Sequence, residues 1–325
     1  MRAVIARKRL KVYSVAALVV AALSFTPTPY SLILPGSAVN LNKIISVAGH
    51  PQPKAQYYLT DVTLQQHASP LLLLATVLPG ARLVKAADLV PAGVNDRQFE
   101  DLMIEAMSES KSTAAEVAER AAGLPVRASN TRVVIRNFIP ASKARDTLKI
   151  GDVIANVRGR SICTTVQVQN ELAKVAPGAT VPVSVWRHDS QVGLRVKTIG
   201  TSAGTRFGIL LQPRFSQPKL PVAVRYNISN VSGSSGGLMF ALDIYHALRP
   251  AKLKGFSAIA GTGTIACDGT VGPIEGAAQK VIAARKAGAQ IFFVPTENYR
   301  EILGTPSIRI VPVGTFAQAV TALRS

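Results

Sequence analysis

The first 43 residues divide sharply between charge and hydrocarbon. Arg2, Arg7, Lys8, Arg9 and Lys11 crowd the start, residues 12–25 are mostly apolar, and the next charge is Lys43. Fourteen residues are short for a bilayer span, which takes about 20. The uncharged stretch lengthens through residues 26–35, so the pattern predicts a transmembrane helix within 1–35. Its one-sided positive flank holds the N-terminus in the cytoplasm and sends the rest of the chain outside. A cleaved signal peptide shows the same pattern, but no clean A-x-A site follows the run, which favours an uncleaved anchor.

Beyond residue 35 the periodicity shortens and varies. Residues 57–63 read as a strand, and 70–79 fit a helix or a buried strand. Asp96 to Ala122 reads as a helix, capped by Asn95 or Asp96 and stopped at Gly123, with Phe99, Met103, Ala106 and Met107 on one face. Residues 124–200 then read as strand (132–139), helix (166–175) and two strands (181–187, 193–198). The remainder is α+β. Strands are expected at 206–211 and 222–229, a helix from Ser234 to Leu248, and one long hairpin over 256–274 turning at Cys267-Asp268-Gly269. A helix follows at 276–287, a strand at 291–294, a short helix at 298–303, a strand at 308–311 and a helix at 316–323. The resulting division is 1–35 tail and anchor, 36–123 an extracytoplasmic segment packing on the C-terminal domain, 124–202 a small β-rich domain, and 203–325 an α+β domain.

Composition narrows the chemistry. The 325 residues carry 37 Lys+Arg against 18 Asp+Glu, a formal net charge of +19. The positives are dispersed and aromatics are only 6%, so the interleaved basic and aromatic surface of a nucleic-acid binder is not expected. His50, His67, His188 and His246 stand at no metal-ligand spacing, and neither a Cys/His cluster nor a GxxxxGK[ST] phosphate loop occurs. No cofactor is therefore expected. Cys163 and Cys267 lie in an environment that permits disulfides, but no sequence feature brings them together, so two unpaired buried thiols are the expectation and a bridge the alternative. Asn227-Ile-Ser and Asn230-Val-Ser fit the short glycosylation pattern.

Two motifs carry candidate chemistry. Residues 232–239, Ser-Gly-Ser-Ser-Gly-Gly-Leu-Met, lie between a strand and a helix. A serine on such a turn is exposed, and the helix N-terminus offers free N–H groups and a positive dipole end to a developing oxyanion. Taken alone, this is usually the composition of a helix cap. Residues 273–284 place Lys280 on a helix among small and apolar neighbours. Desolvation there lowers a lysine pKa, and a neutral lysine can take a proton from a serine hydroxyl.

Two resemblances follow from these residues. The Pro140-Ala segment, Leu148-Lys-Ile-Gly-Asp-Val-Ile154 and the turn at Gly159 resemble the PDZ domain, which implies capture of an extended peptide, often a C-terminus, as an added strand. Residues 233–239, 261–265 and 271–284 resemble the nucleophile turn, the T-G-x-I strand and the lysine helix of the Lon proteolytic domain. The whole chain resembles the membrane-anchored bacterial Lon-like proteases that carry a PDZ domain. That resemblance implies Ser235 as nucleophile, Lys280 as general base, Thr262 in support and the amides around Gly236 and Gly237 at the oxyanion. It also implies a hexameric ring. Ser234, Gly236 and Glu275 replace the family's proline, alanine and glycine. Ser234 leaves the nucleophile open by one position, and Glu275 could hold the base protonated if it paired with Lys280, although i and i+5 are not helix neighbours.

The sequence thus points to an α+β serine endopeptidase without ATP-driven unfolding, acting outside the cytoplasmic membrane on unfolded or tail-exposed proteins recruited by its PDZ domain. A catalytically inactive PDZ-bearing membrane scaffold that binds protein C-termini is the alternative. Its partners are protein tails and the lipid bilayer, with no nucleic acid.

Overall fold

A computed structural model describes the chain except residues 1–12, 15–17, 19, 91–93, 127–131, 189, 203, 215–219, 229–230, 252, 254, 304–307 and 325. The basic cluster, much of the expected anchor and Asn230 lie outside the described residues. Among the described residues, no helix is long and apolar enough to cross a membrane.

The C-terminal domain is built on a six-stranded sheet, in the order Arg309–Val313, Ile291–Pro295, Ala258–Gly261, Gln56–Gln65, Tyr30–Asn40 and Arg82–Lys85. The first four strands run parallel, and the last two pairings are antiparallel. Alternation along Ile291–Val294 shows why this sheet is buried on both faces. Ile291 and Phe293 pack with the Gly237–Leu248 helix and the Asp96–Ala121 helix, while Phe292 and Val294 pack with the Ala277–Lys286 helix. Parallel strands covered on both faces read as continuous apolar runs, as this one does. The segment N-terminal to residue 123 therefore supplies three of the six strands as well as the long helix.

Several expectations are corrected here. Residues 30–35, expected to extend the membrane span, are the first half of a sheet strand, with Leu32 and Ile33 only 0% and 2% exposed. Their hydrophobicity serves the core. The hairpin expected over 256–274 is cut in two. Ala258–Gly261 enters the main sheet, and only Thr264–Ile265 and Val271–Gly272 pair antiparallel around the Cys267–Gly269 turn. The handover falls after Thr262: its amide still donates to the Phe293 carbonyl as the last bond of the sheet, whereas the Gly263 amide donates to the Ser235 carbonyl. The strand expected over 206–211 is interrupted at Gly208, which sits at φ +72 with the Ser142 Cα 2.9 Å from where a Cβ would stand. Gly204–Arg206 pairs with Ile199–Thr201, and Ile209–Arg214 pairs with Arg132–Phe138 in the second sheet. The strand expected over 222–229 is shortened to Val224–Tyr226, which pairs with Ile45–Val47. The ambiguous 70–79 stretch contains a 3-10 helix, Leu72–Val77.

The smaller domain is a sheet in the order Ile209–Arg214, Arg132–Phe138, Val153–Val157, Thr180–Arg187, Ser190–Lys197, flanked by the Thr165–Ala173 helix and closed over its own core. The Leu148–Ile154 motif has a local cause. Asp152 is 2% exposed, accepts the Lys149 amide at 2.8 Å and grips Arg187 through two nitrogens at 2.8 and 2.7 Å. A fork-to-carboxylate pair of this kind fixes the turn in one geometry.

The unpaired-thiol expectation is also overturned. Cys163 and Cys267 form a disulfide, with Cα atoms 6.4 Å apart. It ties the residue before Thr164, the N-cap of the Thr165–Ala173 helix, to the hairpin turn of the C-terminal domain.

Candidate active site

The long helix, the serine turn and the central strand converge on one point. Of the two expected caps, Asn95 is the one that caps the Asp96–Ala121 helix, with a reciprocal Gln98 contact that makes a capping box. Fourteen residues along, Ser110 donates from Oγ to the Ser234 carbonyl at 3.1 Å. The turn leading into the Gly237–Leu248 helix is thus held from outside as well as by its own bonds. Its glycines are there for space. A Cβ at Gly236 would stand 2.8 Å from Leu59 Cδ1, and one at Gly237 would stand 2.7 Å from Ile265 Cγ2 and 2.9 Å from Ser110 Oγ. The glycine at 236 therefore permits close packing on Leu59, with a backbone conformation that any residue adopts.

Lys280 comes from the opposite face of the sheet. Gly276 precedes its helix in the left-handed region, φ 73, where an L side chain is strained. The first turn then aims Lys280 past the end of the Ala258–Gly261 strand. Its Nζ lies 2.8 Å from Ser235 Oγ and 3.2 Å from Thr262 Oγ1. Thr262 Oγ1 also donates to the Ser235 carbonyl at 3.2 Å, which the Gly263 amide approaches at 2.8 Å. Ser235, Thr262 and Lys280 are therefore brought together, and the lysine faces Ser235, not Ser234. Of the amides expected at an oxyanion, that of Gly237 is engaged, donating to the Ser234 carbonyl at 3.3 Å. Gly236 occupies the N-cap position, and its amide precedes the first helical residue.

The electrostatics follow from burial. Lys280 is 3% exposed and Thr262 0%. Desolvation pulls the lysine pKa down to about 8, against an opposing pull from Asp61 and Glu275. Glu275 is exposed and pairs with Arg82 at 3.7 Å. Asp61 was not apparent from sequence. It accepts from the Ser37 amide and hydroxyl at a bulge in the pairing of the two long strands, and it lines a cleft of about 520 Å³ with Gly36, Ser37, Met107, Ser232, Ser235 and Lys280. No local pattern marks Asp61; only the fold sets it beside Lys280.

A second cavity, of about 450 Å³, lies between the two domains. Val166 and Leu172 of the Thr165–Ala173 helix, Ile209 and Leu211 of the edge strand, and Phe99, Met103 and Ala106 of the long helix line it, and it reaches Ser234. On its margin Glu109, buried and with a pKa raised to about 6 by desolvation, accepts from the Thr165 amide at 3.1 Å and hydroxyl at 2.8 Å.

Two regions of the chain are similar to known protein families. Residues 212–313, which include Ser235, Thr262 and Lys280, match the Lon protease (S16) C-terminal proteolytic domain. Residues 115–198 match the PDZ domain. Over 91 residues the chain is 34% identical to Lon protease 2 of Bacillus subtilis (strain 168), a stretch amounting to 28% of this chain and 16% of that relative. The PDZ domains of the SdrC-like proteins of Listeria monocytogenes and Listeria innocua align at 19% and 21% identity. They cover 26% and 25% of this chain and 93% and 92% of their own, with TM-scores of 0.25 and 0.23. The chain thus carries one region similar to the Lon proteolytic domain and one similar to the PDZ domain.

Proposed function

We propose that the chain is an ATP-independent serine endopeptidase with a Ser235–Lys280 dyad, anchored in the cytoplasmic membrane of a bacterium and acting outside it on unfolded or tail-exposed proteins. The observation that carries this reading is the 2.8 Å approach of Lys280 Nζ to Ser235 Oγ at a site where the lysine is desolvated. In the neutral amine, one N–H donates to Thr262 Oγ1, which leaves the lone pair directed at the serine hydroxyl. Ser235 Oγ attacks the peptide carbonyl, Lys280 takes its proton and passes it to the leaving amine. Water then cleaves the acyl-enzyme by the same route. Amides at the Ser235–Gly236 turn, beside the helix N-terminus, are suited to the developing oxyanion.

Recruitment falls to the PDZ domain. Its Ile209–Arg214 strand is a sheet edge, and the interdomain cavity separates it from the Thr165–Ala173 helix. An extended tail fits that arrangement as an added strand. The Cys163–Cys267 bridge supports a compartment where thiols oxidise. Residues 12–25 are the proposed anchor, and assembly into a ring belongs to the same reading.

Mass spectrometry of an unfolded protein incubated with the chain, beside Ser235→Ala, tests the reading. New peptide ends produced by the wild type and absent with Ser235→Ala are expected. No new ends with either protein would leave the scaffold alternative standing.

A further inference from the structure

The Leu72–Val77 helix has no buried residue, although its sequence is Leu-Leu-Leu-Ala-Thr-Val. Leu71, Leu74, Val77 and Leu78 are 42%, 66%, 85% and 53% exposed. A 3-10 helix has three residues per turn, so 71, 74 and 77 stack on one face. Scattered exposed apolar side chains are ordinary, but a contiguous stripe marks a contact surface.

The stripe's neighbour indicates what covers it. The Leu71 amide donates to the Leu23 carbonyl at 3.1 Å, and just before it Thr28 Oγ1 donates to the Ala68 carbonyl at 2.6 Å while the Ala68 amide donates to the Tyr30 carbonyl at 2.7 Å. The stripe is thus fastened to the end of the N-terminal apolar run, whose Leu18, Val20, Leu23 and Phe25 are also exposed. Residues 62–81 contain no Asp, Glu, Lys or Arg, and Arg82 and Lys85 follow at the margin. Continuity with an apolar run, an uncharged face and a basic rim together describe a bilayer surface, where basic residues meet anionic headgroups. Six helical residues are far too few to span but suit the interfacial region.

We propose that residues 71–78 form a second membrane-contact site, seated in the interface of a lipid bilayer beside the N-terminal run. This rests on the anchored reading given above. Two contacts fix the orientation of the domain where one would let it swing. The seated segment also ends near the dyad, because the Gly80 carbonyl accepts from Gln279 Nε2 at 2.8 Å, next to Lys280. The cleft is thereby held at a set height above the lipid, which selects substrates close to the membrane.

The test uses the full chain reconstituted into phosphatidylethanolamine–phosphatidylglycerol vesicles, with an environment-sensitive fluorophore on Val77→Cys or, as a control, on the exposed Asp146→Cys. The expected result is a blue-shifted Val77→Cys signal, quenched by brominated lipid and protected from iodide, with the reverse at Asp146→Cys. Iodide quenching at Val77→Cys without lipid quenching overturns the proposal. Protection from both quenchers, as under a second copy of the chain, overturns it as well. Alkaline carbonate extraction of the same vesicles separates the two readings. A chain retained in the pellet with Val77→Cys in water leaves the anchor standing and sinks this proposal alone, whereas a chain that never sediments with the vesicles sinks both.

Discussion

Ser110 and Ser234 stand 124 positions apart, yet the Ser110 hydroxyl donates to the Ser234 carbonyl at 3.1 Å, one residue from the serine that faces Lys280. The preceding residue, Glu109, reaches the other way and holds Thr165 at the start of the PDZ-domain helix. Consecutive positions of one helix therefore touch both domains.

Ser110→Ala removes a hydrogen bond worth about 1 kcal/mol. Its larger effect is expected on the turn, because small misplacements of a nucleophile slow chemistry steeply. We expect kcat on a short peptide to fall by about tenfold with little change in KM, since no substrate contact is removed. Steady-state kinetics and a thermal melt on the same preparation check this. A lowered melting temperature with unchanged kcat would assign Ser110 to packing alone.

The disulfide closes a loop across 104 residues. The chain-entropy model gives about 4–5 kcal/mol for loops of this size. That is an upper bound here, because the Glu109–Thr165 contact still holds the domains together after the bridge is lost. Cys163→Ala with Cys267→Ala, or a dithiol reductant, should therefore lower the melting temperature while leaving each domain folded. Coincident loss of near-UV and far-UV circular dichroism at room temperature would show that the bridge is required for folding.

The meeting of Ser235 and Lys280 was legible through the resemblance of their two short motifs to the Lon proteolytic domain, since the serine turn alone reads as a helix cap and a lone helix lysine as a surface charge. Elements whose partners lie far along the chain were not legible. The Ile209–Arg214 strand carries no mark of which sheet it joins, and Cys163 meets Cys267 only because two domains pack. Residues 30–35 are apolar for a buried strand as readily as for a membrane, and only pairing with Gln56–Gln65 decides between them. Glu109, Ser110, Thr113 and Glu116 form a polar stripe that a periodicity argument assigns to solvent. They are buried, because that face of the helix meets both domains.

The interdomain cavity allows the tail-binding role to be tested without deleting the smaller domain, which the Ile209–Arg214 strand and the disulfide make inseparable from the rest. Ala106 lines the cavity from the long helix, outside the PDZ sheet. Ala106→Phe places a ring in existing space, so stability should change by no more than about 1–3 kcal/mol. Cleavage of proteins with free apolar C-termini should fall, while cleavage of a short generic peptide should persist. Equal losses on both substrates would mean the cavity has no part in recruitment.

The buried lysine makes opposite predictions for activity and stability. Only the neutral amine accepts the Ser235 proton, so activity should rise as pH passes through about 8, the value to which burial lowers the Lys280 pKa. Lys280→Arg should be as inactive as Lys280→Ala, because a guanidinium stays protonated. Ser235→Ala, Lys280→Ala and the pair together should lose similar activity, as parts of one unit do, while Ser234→Ala should retain most of it. The same lysine costs stability, and that cost fades over the pH range in which activity rises. The folded pKa lies below the unfolded value of 10.5, so between pH 8 and 10.5 the unfolded chain binds more protons than the folded one. The penalty for burying Lys280, on the order of 3 kcal/mol, is in force below about pH 8 and is relieved as pH rises toward 10.5. Lys280→Met should therefore abolish activity yet raise the melting temperature at pH 7, and this gain should shrink to nothing near pH 11. A melting-temperature gain independent of pH would show that Lys280 is not desolvated in the folded chain, and an alkaline activity limb centred near 10.5 would say the same of the dyad.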